Sequence, residues 1–339
     1  MIEQHQRIVL PAPRVRSLCW HGDELVDWVG GGTRYFLDGS TVRGGVNFAY
    51  RFDAAAVSPS GRYVVIYERL GTKGMVWDAE ASRLLRELNR SFYHANVYEY
   101  PVALLALPDG REIVAHCSED YNRLQLDDLA TGERLSWRET KSPDFFHSRL
   151  AISPSGAWLL SAGWVWHPFD SLCLYRIADV LARPEALDDW HGWGESVPTH
   201  DGPVSSAAFL EPDLLLLSSA KDGDNLGNED PDALCLRPGT VAVYNLAERH
   251  YISIAPLEDE AGTMMALDTD HVIGFYVHPK LIHLPTGRVL HHWPDLKTGN
   301  QNSSILLDHE DPLPPLALDP ARRRFAVADG EAITVVIFR

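Results

Sequence analysis

Residues 54–67 read Ala54-Ala55-Ala56-Val57, Ser58-Pro59-Ser60-Gly61, Arg62-Tyr63-Val64-Val65-Ile66-Tyr67. Proline presets the backbone angle that enters a turn and glycine accepts a positive φ, so the middle four residues predict a tight hairpin. The runs on either side are small and apolar, then β-branched and aromatic, which predicts two strands. The unit continues through Gly74-Met75-Val76-Trp77-Asp78 and Arg83-Leu84-Leu85-Arg86-Glu87-Leu88, giving a third strand and a fourth.

Working outward, the same opening returns as Leu150-Ala151-Ile152, Ser153-Pro154-Ser155-Gly156, Ala157-Trp158-Leu159-Leu160, and again as Leu104-Leu105-Ala106-Leu107, Pro108-Asp109-Gly110, Glu112-Ile113-Val114-Ala115. Further first turns fall at Gly22, Pro212-Asp213, Asp268-Thr269-Asp270 and Asp319-Pro320, making seven in all. Second turns recur as Asp38-Gly39-Ser40, Ala130-Thr131-Gly132 and Pro285-Thr286-Gly287. A period of roughly 40 to 55 residues with four strands per unit is the spacing of propeller blades.

The expected fold is therefore all-β: a seven-bladed β-propeller of four-stranded antiparallel blades, in one domain across residues 1–339. The blades are expected at about 14–48, 53–90, 102–140, 148–193, 204–255, 262–296 and 314–339. The last unit has only three strands: Leu316-Ala317-Leu318, Phe325-Ala326-Val327 and Ile333-Thr334-Val335-Val336-Ile337. Arg7-Ile8-Val9-Leu10 is a strand without a unit, and pairing it with the last three closes the ring and removes an open sheet edge. The one helix-like stretch, around Ile177 to Leu187 and broken by Pro184, reads as a decoration.

Composition is compatible with a large packed core: 339 residues, 45% hydrophobic, 10% aromatic and 23% charged. Lys and Arg number 30 against 47 Asp and Glu, a net charge of −17, which opposes direct binding of nucleic acid. No run approaches the roughly 18 apolar residues of a membrane helix, and the amino end lacks the layout of a secretory leader. Cys19, Cys117, Cys173 and Cys235 are widely spaced, so a reducing, cytoplasmic setting is expected.

Val76-Trp77-Asp78 stands at the end of a third strand, and His200-Asp201-Gly202-Pro203-Val204 precedes a first strand. Ser218-Ser219-Ala220-Lys221-Asp222-Gly223 and Gly239-Thr240-Val241-Ala242-Val243-Tyr244-Asn245-Leu246 follow as second and third strands. In these features the chain resembles the WD40-repeat propellers. The resemblance implies a buried hydrogen-bond chain of His, Ser, turn Asp and third-strand aromatic, here His200, Ser218, Asp222 and Tyr244. Such buried polar groups are tolerable only when each is paired.

Motifs for chemistry are missing: there is no Gly-x-Ser-x-Gly elbow, His-Glu-x-x-His, phosphate loop or dinucleotide fingerprint. Gly30-Gly31-Gly32 sits between strands and reads as a hairpin loop. His291 and His292, with His283 nearby, form the densest histidine group, but neighbours on a strand point to opposite faces and cannot share one metal. The acidic run 222–230 would place Leu226 at the fifth position of a calcium loop and Ala233 at the twelfth, where oxygen ligands are required. No metal and no cofactor are expected, and no catalytic residue is assigned.

In a propeller the loops joining fourth to first strands share a face with those joining second to third strands. That rule collects aromatic residues on one face: Tyr93, Tyr98, Phe146, Trp164, Trp166, Trp190 and Trp193, with Asp224, Glu229 and Asp230 on an acidic insertion. The pairs Trp164/Trp166 and Trp190/Trp193 are expected to be the most exposed. Aromatics are favoured interface anchors, and insertions on one face customise repeat scaffolds. The expected function is thus a non-enzymatic scaffold for a protein or peptide partner, a basic one suiting the acidic chain, with an immunity-protein-like cap on a basic effector as one concrete form. The competing expectation is a propeller hydrolase or lyase, with loop-borne acid and base groups around Asp222, Asp224 and His167 or with a loop-borne or channel metal site, and a third is a purely structural subunit.

Overall fold

The computed structural model describes all residues except 1, 3, 167–168, 190–203, 212, 222–235 and 307–312. The Ser-Pro-Ser-Gly turns do what their chemistry dictates. In the first, Tyr63 N donates to Ser58 Oγ (3.1 Å), Ser58 N donates to Tyr63 O (2.8 Å), and Gly61 takes φ +80°. In the second, Trp158 N donates to Ser153 Oγ (3.0 Å), Ser153 N to Trp158 O (3.0 Å), and Gly156 has φ +70°. The turn serine thus caps the hairpin that its strands extend.

Seven antiparallel sheets form the ring. Their innermost strands are Cys19–His21, Ala54–Val57, Val102–Ala106, Leu150–Ile152, Ser206–Glu211, Met264–Asp268 and Leu316–Asp319. Within each sheet the strands follow chain order from the channel outward, except in the seventh. There Gln4–Pro11 pairs with Ala332–Phe338, from Gln4 opposite Phe338 to Pro11 opposite Ala332. The amino-terminal strand therefore supplies the outer strand of the last blade and closes the ring, as its sequence leads one to expect.

The outer rim departs from regularity in two blades. Beside Leu124–Asp128 the fourth position is taken by a segment making a single bridge, Asp127 to Arg134, with Leu126 N donating to Ser136 Oγ (2.7 Å). After Phe169–Arg176 the chain turns into the helix Ile177–Ala182 and the 3-10 turn Pro184–Asp188. That stretch is more than a decoration. Ile177, Val180, Ala186 and Leu187 are buried in the core shared by blades three and four, and Asp188 accepts two hydrogen bonds from the buried Arg138 (2.7 Å each).

The core is divided in the same way as the ring. Each neighbouring pair of blades shares its own apolar cluster, such as Trp158, Leu160, Leu215 and Tyr244 between blades four and five, or Phe275, Phe325 and Val336 between six and seven. Small residues on the inner strands leave a central cavity of about 960 Å³.

Candidate functional site

Antiparallel order puts the loops entering the inner strands on the same face as the loops between second and third strands, and the aromatic residues of blades two to four meet there. Phe146 enters blade four, and its backbone pairs with Trp164: Phe146 N donates to Trp164 O (2.9 Å) and Trp164 N to Phe146 O (3.1 Å). The two rings stack with centroids 3.8 Å apart at 13°. Gly163 permits this, because a Cβ there would lie 2.0 Å from the Phe146 carbonyl oxygen.

Tyr121 stacks on Phe146 at 4.4 Å, and Tyr98 and Tyr93 approach it at 5.6 and 5.9 Å. His94 bridges outward, edge-on to Tyr93 (4.4 Å) and to Trp166 (5.0 Å). The cluster has an inside and an outside. Tyr98, Phe146 and Trp164 are at most 1% exposed, whereas Tyr93 and Trp166 are 44% and 46% exposed. Two expectations are corrected here: Trp164 is buried, not exposed, and Tyr98 and Phe146 lie beneath the surface, because all three pack face or edge against each other. They support the exposed rings and cannot themselves touch a partner.

Charged groups brace this platform. The Tyr121 hydroxyl donates to Asp144 Oδ1 (2.6 Å); burial and then that carboxylate push the phenol well above its ordinary range. The buried Arg90 donates to the carbonyls of Gly71 (2.7 Å), Ala95 (2.5 Å) and Tyr98 (3.0 Å) and lies 4.6 Å from the Tyr98 ring centroid. Its guanidinium satisfies a loop that has no sheet partners of its own, and stacking on the ring adds a cation–π attraction.

A strap from the far side of the ring completes the face. After blade six the chain runs from Thr298, whose amide donates to Val277 O (3.0 Å), across to blade four, where Ser304 N donates to Asp170 Oδ1 (2.8 Å) and Ser304 Oγ to Gly163 O (2.8 Å). It reaches the entry to blade three, where Leu306 N donates to Val97 O (2.7 Å). Blades six and three stand three places apart in a ring of seven, so the strap spans the mouth, and Ile305 packs against the aromatic cluster.

Of the residues expected for a partner surface, the structure brings together Tyr93, Tyr98, Phe146, Trp164 and Trp166. Trp190, Trp193, Asp224, Glu229 and Asp230 lie outside the described residues, as does His167. Tyr121 was missed by sequence reasoning, although its place in the 118–123 turn of blade three assigns it to the same face. Of the polar chain His200, Ser218, Asp222 and Tyr244, the first and third are outside the described residues. Ser218 is buried opposite Ser206, and Tyr244 packs edge-on against Tyr251 at 5.1 Å. A comparable pair occurs one blade earlier. The buried His147, just before the first strand of blade four, meets Ser161 Oγ on the second strand through Nδ1 (3.0 Å). Its sequence signal, a histidine three residues ahead of a Leu-Ala-Ile strand, was legible.

The neighbouring imidazoles His291 and His292 part company: His291 packs edge-on against Trp293 (4.5 Å), while His292 Nδ1 meets His278 Nε2 (3.1 Å). Among the described residues no three His, Cys, Asp or Glu side chains converge in a way that could hold a metal ion, and no helix is long and apolar enough to cross a membrane.

No protein-family model matches the chain, and no curated protein matches it by sequence. Among solved structures it resembles a WD40 propeller chain from the crystal structure of a mitotic checkpoint complex, with a TM-score of 0.59 and 11% sequence identity over 98% of this chain and 91% of that one. At that identity the likeness concerns the fold.

Proposed function

We propose that this propeller is a non-enzymatic interaction scaffold that takes a protein partner carrying a basic segment on the face of Tyr93 and Trp166. The observation that carries the reading is the layered aromatic platform: two half-exposed rings held in place by buried ones. Rigid aromatics lose little entropy on binding and contribute large contact areas, the profile of an interface hot spot. Phe92, 83% exposed, extends the apolar surface. Asp144 stands at its edge, and the net charge of −17 draws a basic partner toward it. A Lys or Arg side chain laid on Tyr93 or Trp166 would gain cation–π attraction as well. The resemblance to a propeller from a multi-protein complex agrees with a protein partner in general.

The test places a photo-crosslinking amino acid at position 166, and in a second variant at position 109, in the turn between the first and second strands of blade three on the opposite face, and compares the proteins captured in cells of the source organism. A partner captured at 166 and not at 109, and lost when Tyr93→Ala is added, is the expected result. Equal capture at both positions, or indifference to Tyr93→Ala, overturns the assignment of this face.

A further inference from the structure

The seam between blades two and three mixes two chemistries. Part of it is apolar, with Val65, Val76 and Leu88 of blade two against Val102 and Val114 of blade three. The rest is polar. Leu124 and Leu126 face blade four, so Gln125 and Asp127 between and beyond them face blade two, together with His116, the cross-strand partner of Gln125. Blade two meets them with Arg86 and Arg90. Arg86 donates across the seam to the carbonyls of Asp128 (2.8 Å) and Leu129 (2.9 Å).

These polar groups are only partly satisfied. His116 Nε2 meets Asp127 Oδ2 at 2.9 Å, and Gln125 Oε1 accepts from Ser118 Oγ at 2.8 Å. Yet Arg90 Nη1, the Tyr100 hydroxyl, His116 Nδ1, Gln125 Nε2 and Asp127 Oδ1 are all sealed from solvent without a hydrogen-bond partner. Among the described residues ten buried side-chain atoms share that condition, and five of them are in this one seam. The others belong to blades one and four, while the seam between blades five and six, filled by residues such as Leu216, Val243, Val272 and Ile282, has none. Dry donors and acceptors without partners destabilise the closed arrangement, and they regain water only when the blades part.

Cross-ties show where such a movement would pivot. On the face away from the aromatic platform, Glu112 of blade three accepts from Ser60 N (2.8 Å), Ser60 Oγ (2.6 Å) and Ser58 Oγ (3.0 Å) in the turn of blade two. At the platform face the chain itself crosses the seam, and Arg90 holds the carbonyls of Ala95 and Tyr98 in that crossing loop.

We infer that the ring opens reversibly between blades two and three, hinged at Ser58, Ser60 and Glu112, and more readily than at the aliphatic seam between blades five and six. Opening wets Arg90, His116, Gln125 and Asp127 and loosens the loop that carries Phe92, Tyr93 and His94. A partner seated on Tyr93 and Trp166 shifts the population toward the closed ring. That last consequence rests on the function proposed above; the opening itself does not.

The experiment is thiol trapping of the folded full chain with no partner present. Val114→Cys and Val272→Cys make the same change at two residues that are 0% exposed, on the second strands of blades three and six. The first faces this seam and the second the aliphatic one. Labelling by N-ethylmaleimide is read peptide by peptide, and the native Cys173, buried between blades three and four, reports global unfolding in the same molecules. Position 114 is expected to label about tenfold faster than position 272 and than Cys173. Gln125→Met removes one unpaired amide at similar volume and lets the half-buried Ser118 hydroxyl turn to water, so it is expected to slow labelling at 114 about fivefold. If Val114→Cys does not fold, Val65→Cys, 0% exposed on the blade-two side, takes its place. Labelling in this seam no faster than at 272 or at Cys173 overturns the inference, as does a rate that Gln125→Met leaves unchanged.

Discussion

Leu306 donates its backbone amide to the carbonyl of Val97 at 2.7 Å, a bond between residues 209 positions apart in sequence (306 − 97) that joins a strap from blade six to the entry of blade three. With Ser304 seated on Asp170 and Gly163, it makes the aromatic face and the roof of the channel a single piece. Whatever loosens the strap therefore alters both.

Ser304→Ala removes the hydroxyl shared between Asp170 and Gly163 O and leaves a buried carboxylate less well satisfied. A loss of about 1–3 kcal/mol is expected. Hydrogen exchange of the Leu306 amide is expected to accelerate markedly while the inner strands stay protected. An unchanged Leu306 amide would show that the strap is held by other contacts.

Gly163→Ala forces a methyl group against the Phe146 carbonyl, 2.0 Å away, with the Phe145 ring 2.8 Å away. The Phe146–Trp164 bridge has to open, so the cost is expected to reach at least the overpacking range of about 1–3 kcal/mol. Near-ultraviolet circular dichroism, which reports the packing of Trp164, should collapse before the far-ultraviolet β signal does.

His147 makes stability depend on pH. Burial, with the Arg138 charge adding to it, pushes its imidazole from 6.5 down to about 3. The native state keeps the ring neutral, while the unfolded chain takes up a proton below about 6.5. The contribution is thus complete above that pH and is lost as the pH falls toward 3, amounting to on the order of 4 kcal/mol over the window. Urea midpoints at pH 7, 5.5 and 4.5 should fall steeply for the unaltered chain. His147→Gln should start lower, for want of the ring's packing, and fall less steeply.

Ring closure is tested by two neighbours on one strand. Leu10 is 3% exposed and packs with Val335 and Ile333, whereas Val9, opposite Thr334, is 58% exposed. Leu10→Ala is expected to cost about 2–5 kcal/mol and Val9→Ala about 0.5 kcal/mol or less. Equal effects in urea denaturation would mean that the closing strand contributes little to the stability of the ring.

Local chemistry made the blades legible in the sequence. A Ser-Pro-Ser-Gly turn between apolar runs specifies a hairpin whatever surrounds it, and Arg7-Ile8-Val9-Leu10 could be matched to an incomplete last unit because an open sheet edge has to be covered. The shared face followed too, since antiparallel order alone decides which loops lie together. Burial within that face did not follow. Trp164 and Trp166 are two residues apart with the same side-chain chemistry, yet one is covered and the other half exposed. The difference comes from Phe146, Tyr98 and a strap arriving from across the ring, which no local pattern announces.

The sequence by itself determined the repeat, the inner three strands of each unit, the closing strand and the face on which aromatic loops gather, because turn geometry and strand alternation are short-range. Only the tertiary structure decided which rings reach solvent, that Ser304 would sit on Asp170, and that the unpaired groups of Arg90, His116 and Gln125 would gather in one seam. Those relations join residues tens to more than a hundred positions apart, and they are fixed by how sheets and loops pack once the ring has closed.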